Sequence, residues 1–408
     1  MSRAFNVESV RAEFPALSQT VHGKPLTYLD SAATSQKPQA VRAAYFRAFV
    51  EGNANVHRGA HFLAAKATEA YEQARATVQR RLGAADPREI VFVRGTTEAV
   101  NLVAQTIGRE RLRGGGEVVV TGLEHHSNLV PWQRVAAEVG GRLVHVPVED
   151  DGSIDPARFR ATLSSRTRIC AFAHVSNALG TVLPVAELTR AAHEVGALAL
   201  VDGAQAMSHL QPDVQAIGCD FYAFSGHKVF APTGIGALYG RLDLLTEMPP
   251  WQGGGEMVDQ VTFERTTYAP PPMRFEAGTP NFTGAVALAA ALDWLGDLDP
   301  VAVAAHEASL LAYGTELLKR LPGLRLIGTA PEKLGVLAFV VDGVHASDLG
   351  TILDLEGVAI RAGNHCTQPV MDRFCVPATA RASLALYNTT ADLDRLSAAL
   401  ERAVRMLR

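Results

Sequence analysis

Between about residues 85 and 240, short runs rich in β-branched and aromatic residues alternate with stretches of helical periodicity. The runs fall at 90–94, 118–121, 143–148, 169–175, 198–202, 221–224 and 235–239. Several are apolar throughout, the pattern of strands buried on both faces. Such alternation predicts an α/β domain built on a mostly parallel sheet of seven strands. Helix starts are legible too: Asp155-Pro156 reads as an N-cap followed by proline at the first helical position. Near the start, Val7, Val10, Phe14 and Leu17 fall at helical spacing and predict a short amphipathic helix.

The rhythm breaks at residues 249–273, where Pro249-Pro250, Gly253-Gly254-Gly255 and Pro270-Pro271-Pro272 predict an irregular excursion. Beyond Thr283 comes an alanine-rich helix, then a more charged C-terminal third with its own strands and helices. The division expected is an N-terminal segment (1–20) packed with the small domain, a large domain (21–290), and a small C-terminal α/β domain (291–408).

Composition narrows the function. A chain of 408 residues, 48% hydrophobic and 20% charged, has the material for a large core with a smaller companion. A net charge of −4 gives no electrostatic reason to expect nucleic acid or an anionic membrane as partner. The longest apolar run, 285–292, falls far short of the roughly 20 residues a membrane span needs. The four cysteines, Cys170, Cys219, Cys366 and Cys375, form no C-x-x-C pair and no zinc-finger spacing, so no metal site is expected and a reducing cytoplasm fits. The first residues lack the apolar stretch of a secretory signal, and Glu8 and Glu13 argue against a transit peptide. Gly114-Gly115-Gly116 is not followed by Lys-Ser/Thr, and no G-x-G-x-x-G follows a strand, which excludes the common nucleotide motifs.

In open parallel sheets ligands bind outside the carboxyl ends of the strands. Five of these runs end in polar groups: Thr96-Thr97-Glu98, Glu124-His125-His126, Ser176-Asn177, Asp202 with Gln205, and Ser225-Gly226-His227-Lys228. A lysine amine can form a Schiff base with an aldehyde cofactor. Pyridoxal 5′-phosphate also needs an acid for its pyridine nitrogen and an anion site for its phosphate. Asp202 can supply the first, and the helix opening at Thr97 the second.

The segments VFVRGTTEAVNLV, LEHHSNLVPW, HVSNALGT, VDGAQA, FSGHK, APTGIG, RFEAGTPN, RAGNHC and RASLALYNT, taken together, resemble the class V aminotransferase family of PLP fold type I, and more narrowly its SufS-type (group II) cysteine desulfurases. The likeness runs from about Phe14 to the C-terminus. It implies conversion of L-cysteine to L-alanine, with sulfur held as a persulfide on Cys366 and passed to an acceptor of SufE or SufU type for iron–sulfur cluster assembly. It implies that Lys228 holds the cofactor, that Asp202 pairs with the pyridine nitrogen, that Gln205 bonds the ring hydroxyl, and that His125 stacks on the ring as acid/base.

By the same resemblance Thr97, Ser225 and His227 hold the phosphate, and Thr279 reaches the phosphate of a neighbouring subunit, which makes the enzyme a homodimer. Arg381 clamps the substrate carboxylate, a role suited to a planar guanidinium. Asn177 helps hold the carboxylate or the ring, and His57, Arg58 and Arg361 complete the pocket. The cysteine loop is short, as in the SufS group. This chain reads Asn364-His365-Cys366-Thr367 where relatives often read His-His-Cys-Ala, and Ser347 stands where some relatives serving a zinc-containing acceptor carry histidine, which leans towards a SufE-like acceptor. Other readings on the same scaffold are a selenocysteine lyase, an aminotransferase or an epimerase; a non-catalytic scaffold is the reading from a different class.

Overall fold

A computed structural model describes residues 3–408. Its centre is a seven-stranded sheet in the order Ile90–Val93, Gly236–Gly240, Phe221–Ser225, Leu198–Asp202, Thr167–Ala173, Glu117–Thr121, Arg142–Val146. Only Gly236–Gly240 runs antiparallel to its neighbours. All seven runs read from the sequence are strands of this sheet. Ile90–Val93, Glu117–Thr121, Phe221–Ser225 and Gly236–Gly240 are buried residue by residue, whereas the edge strand Arg142–Val146 is partly exposed. Covering helices shield both faces of the former, which is why their sequences carry no period-2 alternation.

A second sheet of four antiparallel strands takes the order Leu324–Ile327, Val336–Val341, Thr379–Ser383, Arg361–Gly363. Helices Pro300–Lys319, Ala346–Leu355 and Thr390–Leu407 lie in this part of the chain. One N-terminal piece belongs beside it: Thr27–Tyr28 pairs in parallel with Val358–Ala359. The Ser383 amide also donates to the Leu29 carbonyl at 2.7 Å.

The N-terminal helix is shorter than its apolar spacing predicts. It covers Val7–Ala12, capped by the Asn6 side chain, and a 3-10 turn at Pro15–Ser18 follows because proline cannot continue the hydrogen-bond ladder. Phe14 sits between these two elements, buried among Phe230, Trp294 and Tyr387. Arg11 pairs with the buried Asp392. Asp155 caps its helix through the Ala157 amide, as the sequence indicates. The excursion at 249–273 contains an element that the glycine and proline content hides: the strands Val258–Val261 and Thr266–Tyr268 form a hairpin. Among the described residues no helix is long and apolar enough to cross a membrane.

Candidate active site

The carboxyl ends of the parallel strands open onto a cavity of about 230 Å³. Thr97, His125, Asn177, Asp202, Gln205, Ser225, His227 and Lys228 line it from the sheet edge, while Arg361, Cys366 and Arg381 close it from the second sheet. Eleven of the site residues expected from the sequence therefore meet in one place. Three do not join them within one chain. His57 pairs with Glu72, Arg58 pairs with Glu256, and Thr279 lines a different cavity together with Glu98 and Trp251.

Lys228 ends a 3-10 turn that begins as soon as the strand Phe221–Ser225 stops. The turn is held from outside. The His227 carbonyl receives the Ser35 amide and Thr34 Oγ1, both at 3.0 Å, and Lys37 Nζ at 3.1 Å. Ser35 Oγ accepts the Phe230 amide at 2.8 Å. The run Thr34–Lys37 thus wraps the peptide bond that precedes Lys228. Burial lowers the Lys228 amine to about 8, against the pull of Asp202. Burial conversely raises Asp202 above the usual carboxylate range, opposed by the Ala204 N–H donating to its Oδ1 at 2.9 Å and by the charge of Lys228. Gly203, next in the chain, is there of necessity: a Cβ would lie 2.1 Å from the Tyr222 ring.

His125 has a defined tautomer. Its Nδ1 accepts the Ser127 amide at 3.0 Å, so Nδ1 carries no proton and Nε2 does. Burial, aided by the charges of Lys228 and His126, lowers the imidazole to about 3, which keeps it neutral near pH 7. The preceding Glu124, fully buried, accepts from Thr121 Oγ1, Asn128 Nδ2 and the Ala173 amide, and so anchors this loop to the neighbouring strand. At the helix opening, Gly95 adopts φ 155° and the Thr96 amide donates to Ser225 Oγ at 2.9 Å. Thr96, Thr97, Ser225 and His227 also line a cleft contiguous with the main cavity, where helix N-terminal amides favour an anion.

Arg381 lies in the strand Thr379–Ser383 and is 1% exposed. Nη1 donates to the Asn177 carbonyl at 2.8 Å and Nη2 to Asp30 at 2.9 Å, while Nε is buried with no partner among the described residues. Cys366 lies between the strand Arg361–Gly363 and the helix Gln368–Arg373 and is partly exposed, whereas Cys170 and Cys219 are buried. Burial pushes both buried thiols well above the ordinary range. His365 and Cys366 are consecutive left-handed residues, at φ 53° and 57°. Such a conformation costs a non-glycine residue about 1–3 kcal/mol, and a turn supplies what holds it. Asn364 Oδ1 accepts the Cys366 amide at 3.0 Å, and Thr367 Oγ1 donates to the Asn364 carbonyl at 2.8 Å. The departures from the commoner sequence are therefore the residues that build the turn.

Asp30, Thr34, Ser35 and Lys37 were not singled out in the sequence. They follow the two-residue strand Thr27–Tyr28, too short to show a period, and reach Lys228 and Arg381 only through tertiary folding. Reading that run as a strand end would have marked them.

The pattern of the class-V aminotransferases matches residues 27–396. A cysteine desulfurase of Synechococcus elongatus is 52% identical over 398 residues; the match covers 98% of this chain but only 64% of that longer protein. A probable cysteine desulfurase of Vibrio cholerae is 48% identical over 402 residues, 98% of this chain and 99% of the relative. The crystal structure of an Escherichia coli cysteine desulfurase, CsdA in its S-sulfonic acid form, superposes with a TM-score of 0.93 at 42% identity, covering 100% of both chains. The cofactor that goes with this family is pyridoxal 5′-phosphate, and the donor set fits it. A buried amine of lowered pKa, a buried carboxylate with few partners and a helix N-terminus face one cavity. From its fold, its site and these likenesses, the chain belongs to the class-V aminotransferase family, among its cysteine desulfurases.

Proposed function

We propose that the protein takes sulfur from L-cysteine, releases L-alanine and carries the sulfur as a persulfide on Cys366. The observation that supports this most is that Lys228, Asp202 and a partly exposed Cys366 line one cavity. Pyridoxal phosphate would be held by Lys228 through its amine, by Asp202 and Gln205 through the ring's polar groups, by His125 and, through its phosphate, by Thr97, Ser225 and His227, and would supply an electron sink for the substrate carbon.

The rest is done by side chains of the chain. Arg381, with Arg361 and Asn177, holds the substrate carboxylate and fixes its orientation. Lys228, neutral once released, takes the Cα proton; its lowered basicity suits the task. The Cys366 thiolate attacks the substrate sulfur. A sulfur–sulfur bond forms, the carbon–sulfur bond breaks, and its electron pair leaves with the carbon. His125, whose proton sits on Nε2, serves the thiol step as the donor from that nitrogen. An acceptor thiol then attacks the outer sulfur and restores Cys366.

Within the family we assign the chain to the SufS-type group, with a SufE- or SufU-type acceptor, iron–sulfur cluster assembly as the destination and a cytoplasmic location. The short connection at 364–367 around the cysteine and the four unpaired cysteines support this. We also propose a homodimer in which Thr279, His57 and Arg58, set apart from the cavity in one chain, serve the neighbouring one. Phe46, Phe49, Phe62 and Phe263 are more than half exposed and supply the apolar surface. The segments 1–20, 21–290 and 291–408 are our domain division; residues 1 and 2 lie outside the described residues.

The test is mass spectrometry of the holoenzyme mixed with L-cysteine, alongside assay of alanine. One added sulfur is expected on Cys366 and none on Cys170, Cys219 or Cys375, with alanine formed in step. Full alanine formation by Cys366→Ala would instead point to another reaction of the family, such as selenocysteine or cysteine cleavage without a protein thiol. Light scattering of the purified protein should give twice the chain mass of 43.5 kDa.

A further inference from the structure

Lys37 is a second, partly buried lysine beside the turn that carries Lys228. Burial lowers its amine to about 8, and no carboxylate opposes that shift. The ammonium meets neutral oxygens instead: Thr34 Oγ1 at 3.3 Å, the Ser35 carbonyl, and the His227 carbonyl at 3.1 Å. These three acceptors match its three protons. A partly buried cation without a counter-charge is costly, and these bonds offset the cost only in this one placement. The backbone of Lys37 is set as well, because Pro38 follows it and the helix Gln39–Glu51 begins at once.

Ser35 grips the other side of the turn. Its amide donates to the His227 carbonyl at 3.0 Å and its hydroxyl to the same oxygen at 3.1 Å. The hydroxyl oxygen in turn accepts the Phe230 amide at 2.8 Å. Phe230 is fully buried and left-handed, with φ 66°, a conformation that strains a residue with a Cβ. The chain is thus held both before and after Lys228. His227 and Lys228, on either side of the clamped peptide bond, line the catalytic cavity, whereas Lys37 and Ser35 are not among its lining residues.

We propose that Lys37 and Ser35 are positioning residues, which act through the His227 carbonyl to set where the Lys228 amine stands towards the cofactor. This role rests on the assignment of Lys228 as the lysine that holds pyridoxal phosphate. An amine that leaves the cofactor, takes a proton and returns is effective in proportion to how narrowly its backbone is fixed, which is the effective concentration of an intramolecular reactant. A loosened Lys228 keeps its chemistry but competes less well with amines from solution.

Competition with methylamine measures that concentration. Methylamine has no carboxylate for Arg381, so it contests only the link between Lys228 and the cofactor. Holoenzyme equilibrated with increasing methylamine is reduced with borohydride, and mass spectrometry of the chain reads the fraction of cofactor still fixed on Lys228. Lys37→Met should halve that fraction at about tenfold less methylamine than the parent, the effect of one charge-assisted hydrogen bond. Lys37→Arg, which keeps the cation and its donors, should stay within about twofold of the parent. Ser35→Ala, which leaves the ammonium in place, should shift the half-point in the same direction as Lys37→Met. An unmoved half-point in Lys37→Met or in Ser35→Ala, or one moved as far in Lys37→Arg as in Lys37→Met, would overturn the positioning role. A parent enzyme with no reduced cofactor on Lys228 would overturn the cofactor assignment itself, and this role with it.

Discussion

The peptide N–H of His126 donates to the carbonyl oxygen of Cys366 at 2.8 Å. His126 Nε2 also accepts the Gln368 amide at 3.2 Å, and Asn177 Nδ2 donates to the His365 carbonyl at 2.8 Å. The loop that carries the thiol is thereby fastened to two strand ends of the central sheet, including the one that carries His125. Cys366 faces the cavity because its backbone is held on both sides.

That fastening depends on the turn at Asn364. Asn364→Ala removes the acceptor for the Cys366 amide and frees a strained pair of left-handed residues. Loss of about 1 kcal/mol of hydrogen bonding should slow turnover by about fivefold. Asn364→Asp keeps the acceptor and should stay near the parent. Rates of iodoacetamide alkylation at Cys366, read beside turnover, check that the thiol itself has been disturbed; identical alkylation in all three proteins would remove the turn from the account.

Lys228 gives a pH dependence whose sign follows from its environment. Only the neutral amine attacks an aldehyde. Because burial lowers the amine to about 8, the neutral fraction rises with pH and saturates above that value. An ordinary lysine would saturate only above about 10.4. The rate of pyridoxal phosphate uptake by cofactor-free protein should therefore climb to a plateau above pH 8. A rate still climbing at pH 10 would contradict the lowered basicity. Lys228→Ala should form no covalent adduct at any pH.

Arg381 already serves Asn177 and Asp30 through its outer nitrogens, so its position is set before substrate arrives. Arg381→Lys keeps the charge and loses the fork. KM for cysteine should rise by about tenfold or more while cofactor uptake is unchanged. Steady-state kinetics beside a cofactor titration separates the two; a fall in cofactor affinity alone would assign Arg381 a different role.

Arg75, buried, binds both oxygens of the partly buried Glu276 at 2.6 and 3.0 Å and reaches Glu72 at 2.9 Å. Glu276 also receives the Phe92 amide and the Tyr71 hydroxyl. Arg75→Met leaves a buried carboxylate without its cation, at a cost of about 3–5 kcal/mol. Urea unfolding of the holoenzyme should register that loss. Because Glu276 begins the segment leading to Thr279, the variant should also dissociate more readily on dilution.

Local pattern was enough to give the seven strands of the central sheet, because runs of buried β-branched residues bounded by turns have few alternatives. The strand-end rule then exposed Asp202 and Lys228, and the motifs supplied the family. Pattern said nothing about Asp30, Ser35 or Lys37, whose partners lie about two hundred or more positions away in the chain. It could not show the hairpin at Val258–Tyr268, where glycine and proline conceal a short ladder, nor that Asn364 and Thr367 build the turn under the thiol. The chemistry of each side chain belongs to the residue and was legible from the sequence; its neighbours, its burial and hence its basicity are properties of the folded chain, because only folding brings distant segments together and excludes water between them.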